Sequence, residues 1–172
     1  FEIVTAQTDE SSEIRDPAKL VEVLSRRKGE AVLSLLREQG RDLSDVVILS
    51  SDTVVALDGQ ILGKPHDRAD AERMLRTLSG GRHQVISGIC LLSEHGVGVA
   101  HEITEVLFDE IPEASLASYL DSDEPYDKAG GYAVQGLASL YVSGLEGDYF
   151  NVVGLPVRRL YETLKLVFGI HL

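Results

Sequence analysis

Val46-Val47-Ile48-Leu49-Ser50-Ser51-Asp52-Thr53-Val54-Val55-Ala56-Leu57-Asp58-Gly59 sets one acidic side chain within an apolar, β-branched run and closes it with a turn. The run Val46 to Leu49 predicts a buried strand. That strand delivers Asp52 where the apolar residues give way to Ser and Thr. Asp-Gly between apolar runs is a strong short-hairpin signal, so the chain is expected to fold back at Asp58-Gly59. The hairpin then carries Gly63-Lys64-Pro65, and with it Lys64, toward the same end of the sheet. A carboxylate and an ammonium held on rigid elements around one crevice suit metal-bound phosphate chemistry. Taken alone, the pair is more simply read as a solvated Asp at a strand end and a surface Lys in a loop.

Phe1 to Val4 reads as a short strand, followed by a polar loop carrying Asp9-Glu10-Ser11. Asp16-Pro17 is a helix start, with Asp as cap and Pro at the first helical position. Leu20, Val21, Leu24, Ala31, Val32 and Leu35 recur at helical spacing until Gly40. Lys28 lies four residues after Leu24, and so points near the buried stripe. After the hairpin, Asp67 is placed to cap a helix through Ala71, Met74, Leu75 and Leu78 to Gly80-Gly81. Val85 to Leu92 and Ile103 to Phe108 predict a long antiparallel hairpin about Glu94-His95-Gly96. Pro112 opens a short helix with Leu116, Tyr119 and Leu120 on one side. A loop from Asp121 to Gly131, a strand at Leu140-Tyr141-Val142 and a final amphipathic helix with Leu160, Leu164 and Val167 complete the pattern. Interleaved helices and strands with a long hairpin predict an α/β fold on a mixed sheet.

The 172 residues form one compact unit, long enough to bury roughly 70% of the unfolded surface without staples. The net charge of −12 opposes a general affinity for nucleic acid, which needs a basic face. A small polyanion is still admissible where local cations, such as Arg26-Arg27-Lys28, Lys64, Arg82-His83, Lys128 or Arg158-Arg159, reverse the field in a cleft. Cys90 is the only cysteine and lies in an apolar run, as a small core residue. No apolar run approaches the ~18 residues of a membrane span, and no signal peptide is legible. A reducing, cytoplasmic location without membrane partners is the expectation.

Several sharper motifs fail. Gly59 to Pro65 is one residue short of a phosphate-binding P-loop, and Pro65 stands where a Ser or Thr would hold Mg²⁺. His101-Glu102-Ile103-Thr104-Glu105 lacks a second His and lies in a strand pattern. There is no G-x-S-x-G elbow, and the five histidines show no ligand spacing. What survives is a distributed set: Asp9-Glu10, Lys28, Ser51-Asp52-Thr53, Gly63-Lys64-Pro65, Ser79 to His83, Asp127 to Gly136, Gly147-Asp148-Tyr149, and Asn151 to Pro156. In this order the blocks resemble the Maf family of nucleoside triphosphate pyrophosphatases, relatives of the inosine triphosphate pyrophosphatase fold, from Phe1 to the final helix. Asp127 to Gly136 is the most specific block.

The resemblance implies a two-lobed α/β fold with a mixed, twisted sheet and a cleft for a nucleotide with Mg²⁺ or Mn²⁺. It also implies homodimers. It puts Asp52 in the role of the catalytic carboxylate that accepts a proton from the attacking water, and Glu10 near the metal with it. Lys28 and Lys64 match lysines facing the triphosphate, and Lys128 matches the lysine of its block. Thr53 and Gln135 match the branch acting on dTTP and UTP. Gln135 offers both a donor and an acceptor, as the adjacent carbonyl and N–H of uracil or thymine require. The implied activity is hydrolysis of those triphosphates to the monophosphate and pyrophosphate. The family's opening strand and its Ser-x-Ser-x-Arg-Arg turn precede the position of Phe1, so residues 1–172 are expected to be a single domain lacking its first strand and helix. A module that binds a nucleotide without turnover, linked to cell division or septum formation, is the alternative this departure suggests.

Overall fold

The Asp16 carboxylate accepts the backbone N–H of Ala18 at 3.1 Å and of Lys19 at 3.3 Å, and Pro17 follows as the first residue of α1 (Pro17–Glu38). The computed structural model describes residues 1–171. Then come β1 (Ile48–Leu57), β2 (Gln60–Leu62), α2 (Arg68–Leu78), β3 (Arg82–Ser93), β4 (Gly96–Phe108), α3 (Glu113–Leu120), β5 (Val142–Glu146), α4 (Tyr149–Val153) and α5 (Val157–Phe168). Three short 3₁₀ turns occupy Glu124–Asp127, Ala129–Gly131 and Leu137–Tyr141. The strands form one sheet in the order β2-β1-β3-β4-β5, flanked by helices, as the α/β class requires.

The local signals hold where a turn residue or cap is decisive. Asp58 and Gly59 both take positive φ, 50° and 77°, the conformation that a two-residue hairpin needs to match strand twist. Asp67 caps α2 by accepting the Asp70 N–H at 2.8 Å. The β3–β4 hairpin pairs from Ser93↔Gly96 to Arg82↔Leu107.

Four expectations are corrected. The sheet is antiparallel in every ladder among the described residues, rather than mixed. Hairpins join β1 to β2 and β3 to β4, and the crossover through α3 returns β5 antiparallel to β4. Phe1 to Val4 is not a strand: it has no neighbouring ladder, and is held instead by an Arg41–Glu2 ion pair and by Val4 against the core. Asp52 is not at a strand end, because β1 starts at Ile48 and continues through it to Leu57. Leu140 and Tyr141 belong to a 3₁₀ turn, and the strand begins only at Val142. The Glu124 carboxylate accepts the N–H groups of Leu137 and Ala138, which fixes that turn.

The alternation of β1 divides the core between the two faces of the sheet. Val54 and Ala56, with Ile86 of β3, pack under Leu20, Val21 and Leu24 of α1. Val55, with Val85, Val106 and Phe108, packs under Ala71, Met74, Leu75 and Leu78 of α2 and the α3 residues Leu116, Tyr119 and Leu120. Each such fully buried aliphatic side chain stabilises the fold by roughly 1.5–3 kcal/mol. Gly88, paired with Asp52 in the β1–β3 ladder, lets α1 lie directly on the sheet. A Cβ there would overlap the carbonyl of Val21. Pinned at Val21, α1 carries Leu24 and Lys28 along the same face. β2 pairs only with Val55–Leu57, so the outer edge of β1 from Ile48 to Val54 has no ladder partner among the described residues.

Candidate active site

A cleft of about 1060 Å³ opens at that uncovered edge of β1. One wall is α1, through Leu20, Leu24 and Lys28; the other is α2 with the segment Tyr126–Gln135, and α4 supplies Val152 and Val153. Glu10, Lys28, Asp52, Thr53, Lys64, Lys128 and Gln135 all line it. Residues separated by up to 125 positions are thus gathered on one surface, and the other basic clusters are not. Arg26 pairs with Glu30, Arg82 with Glu146, and Arg159 with Glu102, while His83 is buried in the core.

Because successive strand residues face opposite sides, Asp52 and Thr53 divide the cleft into two halves around the open strand edge. Asp52 faces α1. Its Oδ1 lies 2.6 Å from the Lys28 Nζ, which also stands 2.9 Å from the Glu10 Oε1. The Asp52 side chain is only 10% exposed. Burial pushes its pKa above the ordinary carboxylate value, the Lys28 hydrogen bond and charge pull it part of the way back, and Glu10 adds to the rise. Burial opposes the charged form of Lys28, but its bonds to the two carboxylates outweigh this and hold its pKa up. Glu10, more exposed, is lowered by its hydrogen bond to Lys28. Lys64 is exposed on the rim, and its positive charge acts on Asp52, Glu10 and Asp127. Lys128 is held by both oxygens of Asp127, each at 2.6 Å.

Thr53 faces α4. Its Oγ1 is 2.7 Å from the Ser87 Oγ, and the Ser87 hydroxyl donates to the Asn151 carbonyl at 2.9 Å. Asn151 is fully buried and ties α4 to the sheet: its amide donates to Val85 O at 2.9 Å and Thr104 Oγ1 at 3.0 Å, and its Oδ1 accepts the Ser87 N–H at 3.1 Å. The Ser51 hydroxyl reaches the carbonyls of Gly88 and Gly154, both at 2.9 Å. Gln135 donates to the Tyr149 hydroxyl at 3.1 Å, which joins it to the same short helix. Thr53, through Ser87 and Asn151, and Gln135, through Tyr149, are both tied to α4 and line the same cleft.

The segment bearing Gln135 is anchored on both sides. Tyr132 is buried, with its hydroxyl 2.6 Å from the His83 Nε2. Beyond Gln135, Glu124 accepts Leu137 N–H at 2.8 Å and Ala138 N–H at 3.3 Å. Gly136 has no room for a Cβ against that carboxylate. The Gly130 N–H donates to Gly63 O at 2.9 Å, which fastens this segment to the loop of Lys64. Ser87 and Glu124 were not singled out from the sequence. The signal for Ser87 was available, as the lone hydroxyl inside the apolar run Val85 to Leu92. Glu124 carries no local signal, since its partners lie 13 and 14 residues away.

No group of three or more His, Cys, Asp or Glu side chains among the described residues is placed to hold a metal ion. Asp52 and Glu10 form a two-carboxylate set whose oxygens reach one common ammonium, and so are spaced to reach one cation. Two carboxylates suit Mg²⁺ when phosphate oxygens and water complete its shell. No helix among the described residues is long and apolar enough to cross a membrane.

A family model described as Maf-like protein matches residues 1–167. The dTTP/UTP pyrophosphatase of Carboxydothermus hydrogenoformans is 43% identical over 167 residues, which cover 96% of this chain and 86% of that protein. That of Pelotomaculum thermopropionicum is 44% identical over 168 residues, 96% of this chain and 84% of the relative. That of Caldanaerobacter subterraneus is 40% identical over 172 residues, 99% of this chain and 80% of the relative.

Proposed function

The chain belongs to the Maf-like protein family, and from that premise we propose that it is a dTTP/UTP pyrophosphatase built on the two halves of this cleft. It is a hydrolase that splits a nucleoside triphosphate into the monophosphate and pyrophosphate, the activity for which its relatives are named. The observation that carries the reading is the Glu10–Lys28–Asp52 cluster on the wall of a cleft large enough for a nucleotide, with Lys64 and Lys128 on the same surface.

Asp52 is the general base. Its largely buried carboxylate takes a proton from water as the water oxygen attacks the α-phosphorus, and the bond from that phosphorus to the bridging oxygen breaks. Burial raises the Asp52 pKa, which makes it a stronger base than a solvated carboxylate. Lys28 and Lys64, as compact point charges, follow the negative charge that moves onto pyrophosphate, and Lys128 supports the same end. A divalent cation, Mg²⁺ or Mn²⁺, held by Asp52 and Glu10 with the phosphate oxygens, would neutralise phosphate charge. Thr53 and Gln135, joined through α4, read the base. On this reading the enzyme works in the cytoplasm without nucleic-acid or membrane partners, as its composition and charge suggest, and as a homodimer, as the family resemblance implies. Its net charge of −12 suits a small-molecule substrate admitted through local cations.

The test is release of pyrophosphate from a panel of dTTP, UTP, dATP and GTP with Mg²⁺ or Mn²⁺. dTTP and UTP should lead. Equal rates across the panel would remove the pyrimidine assignment, and binding without any pyrophosphate release would favour a regulatory module instead.

A further inference from the structure

Thr53 and Ser87 form a chain of hydroxyls whose direction is fixed by what lies at its buried end. Ser87 is fully buried, and its Oγ stands 2.9 Å from the main-chain carbonyl oxygen of Asn151. Two oxygens at that separation repel unless a hydrogen lies between them, and a carbonyl has none to give. The single Ser87 hydroxyl hydrogen is therefore committed to Asn151. At 2.7 Å, the Thr53–Ser87 contact then needs its hydrogen from Thr53. Asn151 cannot turn away to release the chain. Its side chain is held by Val85 O, Thr104 Oγ1 and the Ser87 N–H, and Thr104 is itself bonded to the backbone of Asp148. The Thr53 hydroxyl thus spends its only hydrogen on the wall, and what remains toward the cleft is a lone pair.

We infer that Ser87 is a positioning residue for base selection, which makes Thr53 an obligate acceptor that recognises a ring N–H and rejects a bare ring nitrogen of the same six-membered base. This rests on the reading that Thr53 lies against the base. Uracil and thymine carry N–H at position 3 and donate to Thr53. Cytosine, equal in ring size, presents a lone pair there and meets another lone pair. A site whose buried polar groups are already committed penalises the unmatched partner most strongly. Gln135, tied to the same helix through Tyr149, supplies a donor and an acceptor to the same cleft.

The experiment compares kcat/KM for UTP and CTP in the wild type, Thr53→Val and Ser87→Ala. Wild type should prefer UTP by about tenfold or more. Thr53→Val, nearly isosteric, removes the acceptor, so UTP should fall by about tenfold while CTP holds or rises. A hydroxyl free to turn would serve both bases, and its loss would lower both alike. Ser87→Ala frees the Thr53 hydrogen, so CTP turnover should rise and the UTP:CTP ratio drop toward unity. A merely structural Ser87 would lower both substrates by the same factor and leave the ratio unchanged. If Thr53→Val moves neither substrate, the base-reading role of Thr53 falls and the inference with it. If Thr53→Val lowers UTP and CTP together, or Ser87→Ala folds and keeps the wild-type ratio, the fixed direction is overturned while the base-reading role stands. Should Ser87→Ala not fold, the Thr53→Val pair of rates decides alone.

Discussion

His83 offers a measurement of how tightly the segment bearing Gln135 is anchored. Its ring is 2% exposed, meets Phe108 and Tyr132 edge-on at centroid separations of 5.0 Å and 5.3 Å, and bonds the Tyr132 hydroxyl through Nε2. Nδ1 is buried with no partner, so a second proton would sit on a nitrogen with no acceptor. Burial accordingly lowers its pKa from 6.5 to about 4. The folded-state pKa is depressed, so between those values the unfolded chain binds a proton that the folded chain refuses. The His83 contribution is whole above pH 6.5 and is lost as pH falls toward 4. The gap corresponds to about 3 kcal/mol. His83→Phe keeps a ring between Phe108 and Tyr132 but cannot titrate. At pH 7 it should be less stable than wild type by about 1–3 kcal/mol, because the buried Tyr132 hydroxyl loses its partner. Urea unfolding of both proteins from pH 7 to pH 4 would measure the difference, in which the carboxylates common to both cancel. That difference should shift by about 3 kcal/mol in favour of His83→Phe over the range, vanishing or reversing sign near pH 4. Parallel curves, or an imidazole that titrates near 6.5 by NMR in the folded protein, would refute the buried neutral ring.

Asp52→Asn should cut kcat by ~10²-fold or more with the fold intact, since only the charge is removed; a near wild-type rate with an unchanged thermal midpoint would exclude Asp52 as the base. Because burial raises the Asp52 pKa, the acid limb of log kcat/KM should lie above the ordinary Asp value and disappear in that variant; a limb at or below that value would contradict the assignment. Lys64→Ala should lower kcat/KM without changing the UTP:GTP ratio, as a phosphate contact carries no information about the base, and a strong shift in that ratio would place Lys64 near the base. Gly88→Ala puts a methyl group into the Val21 carbonyl and should cost about 1–3 kcal/mol in chemical denaturation, together with a loss of turnover as α1 lifts Lys28 from Asp52; unchanged stability would mean that α1 has slack at the crossing.

Caps, turn residues and hydrophobic period are local properties, and the sequence alone determined the elements that depend on them. Asp16-Pro17 begins α1, Asp58-Gly59 makes the β1–β2 turn, Asp67 caps α2, and Glu94-His95-Gly96 joins β3 to β4. The distributed motif blocks likewise marked the seven residues that the fold brings to one cleft. Tertiary structure decided what each of them faces. Lys28 could be placed near a buried stripe from spacing, but its position between Asp52 and Glu10 depends on how closely Gly88 lets α1 approach β3. The strand expected at Leu140 yields to a 3₁₀ turn because a carboxylate 13 residues upstream caps it. The direction of the Thr53 hydroxyl follows from a carbonyl 98 positions along the chain, at Asn151. A side chain's periodicity is written in its neighbours along the sequence, whereas its hydrogen-bond partners and solvation are set by groups that only the closed fold brings within 3 Å.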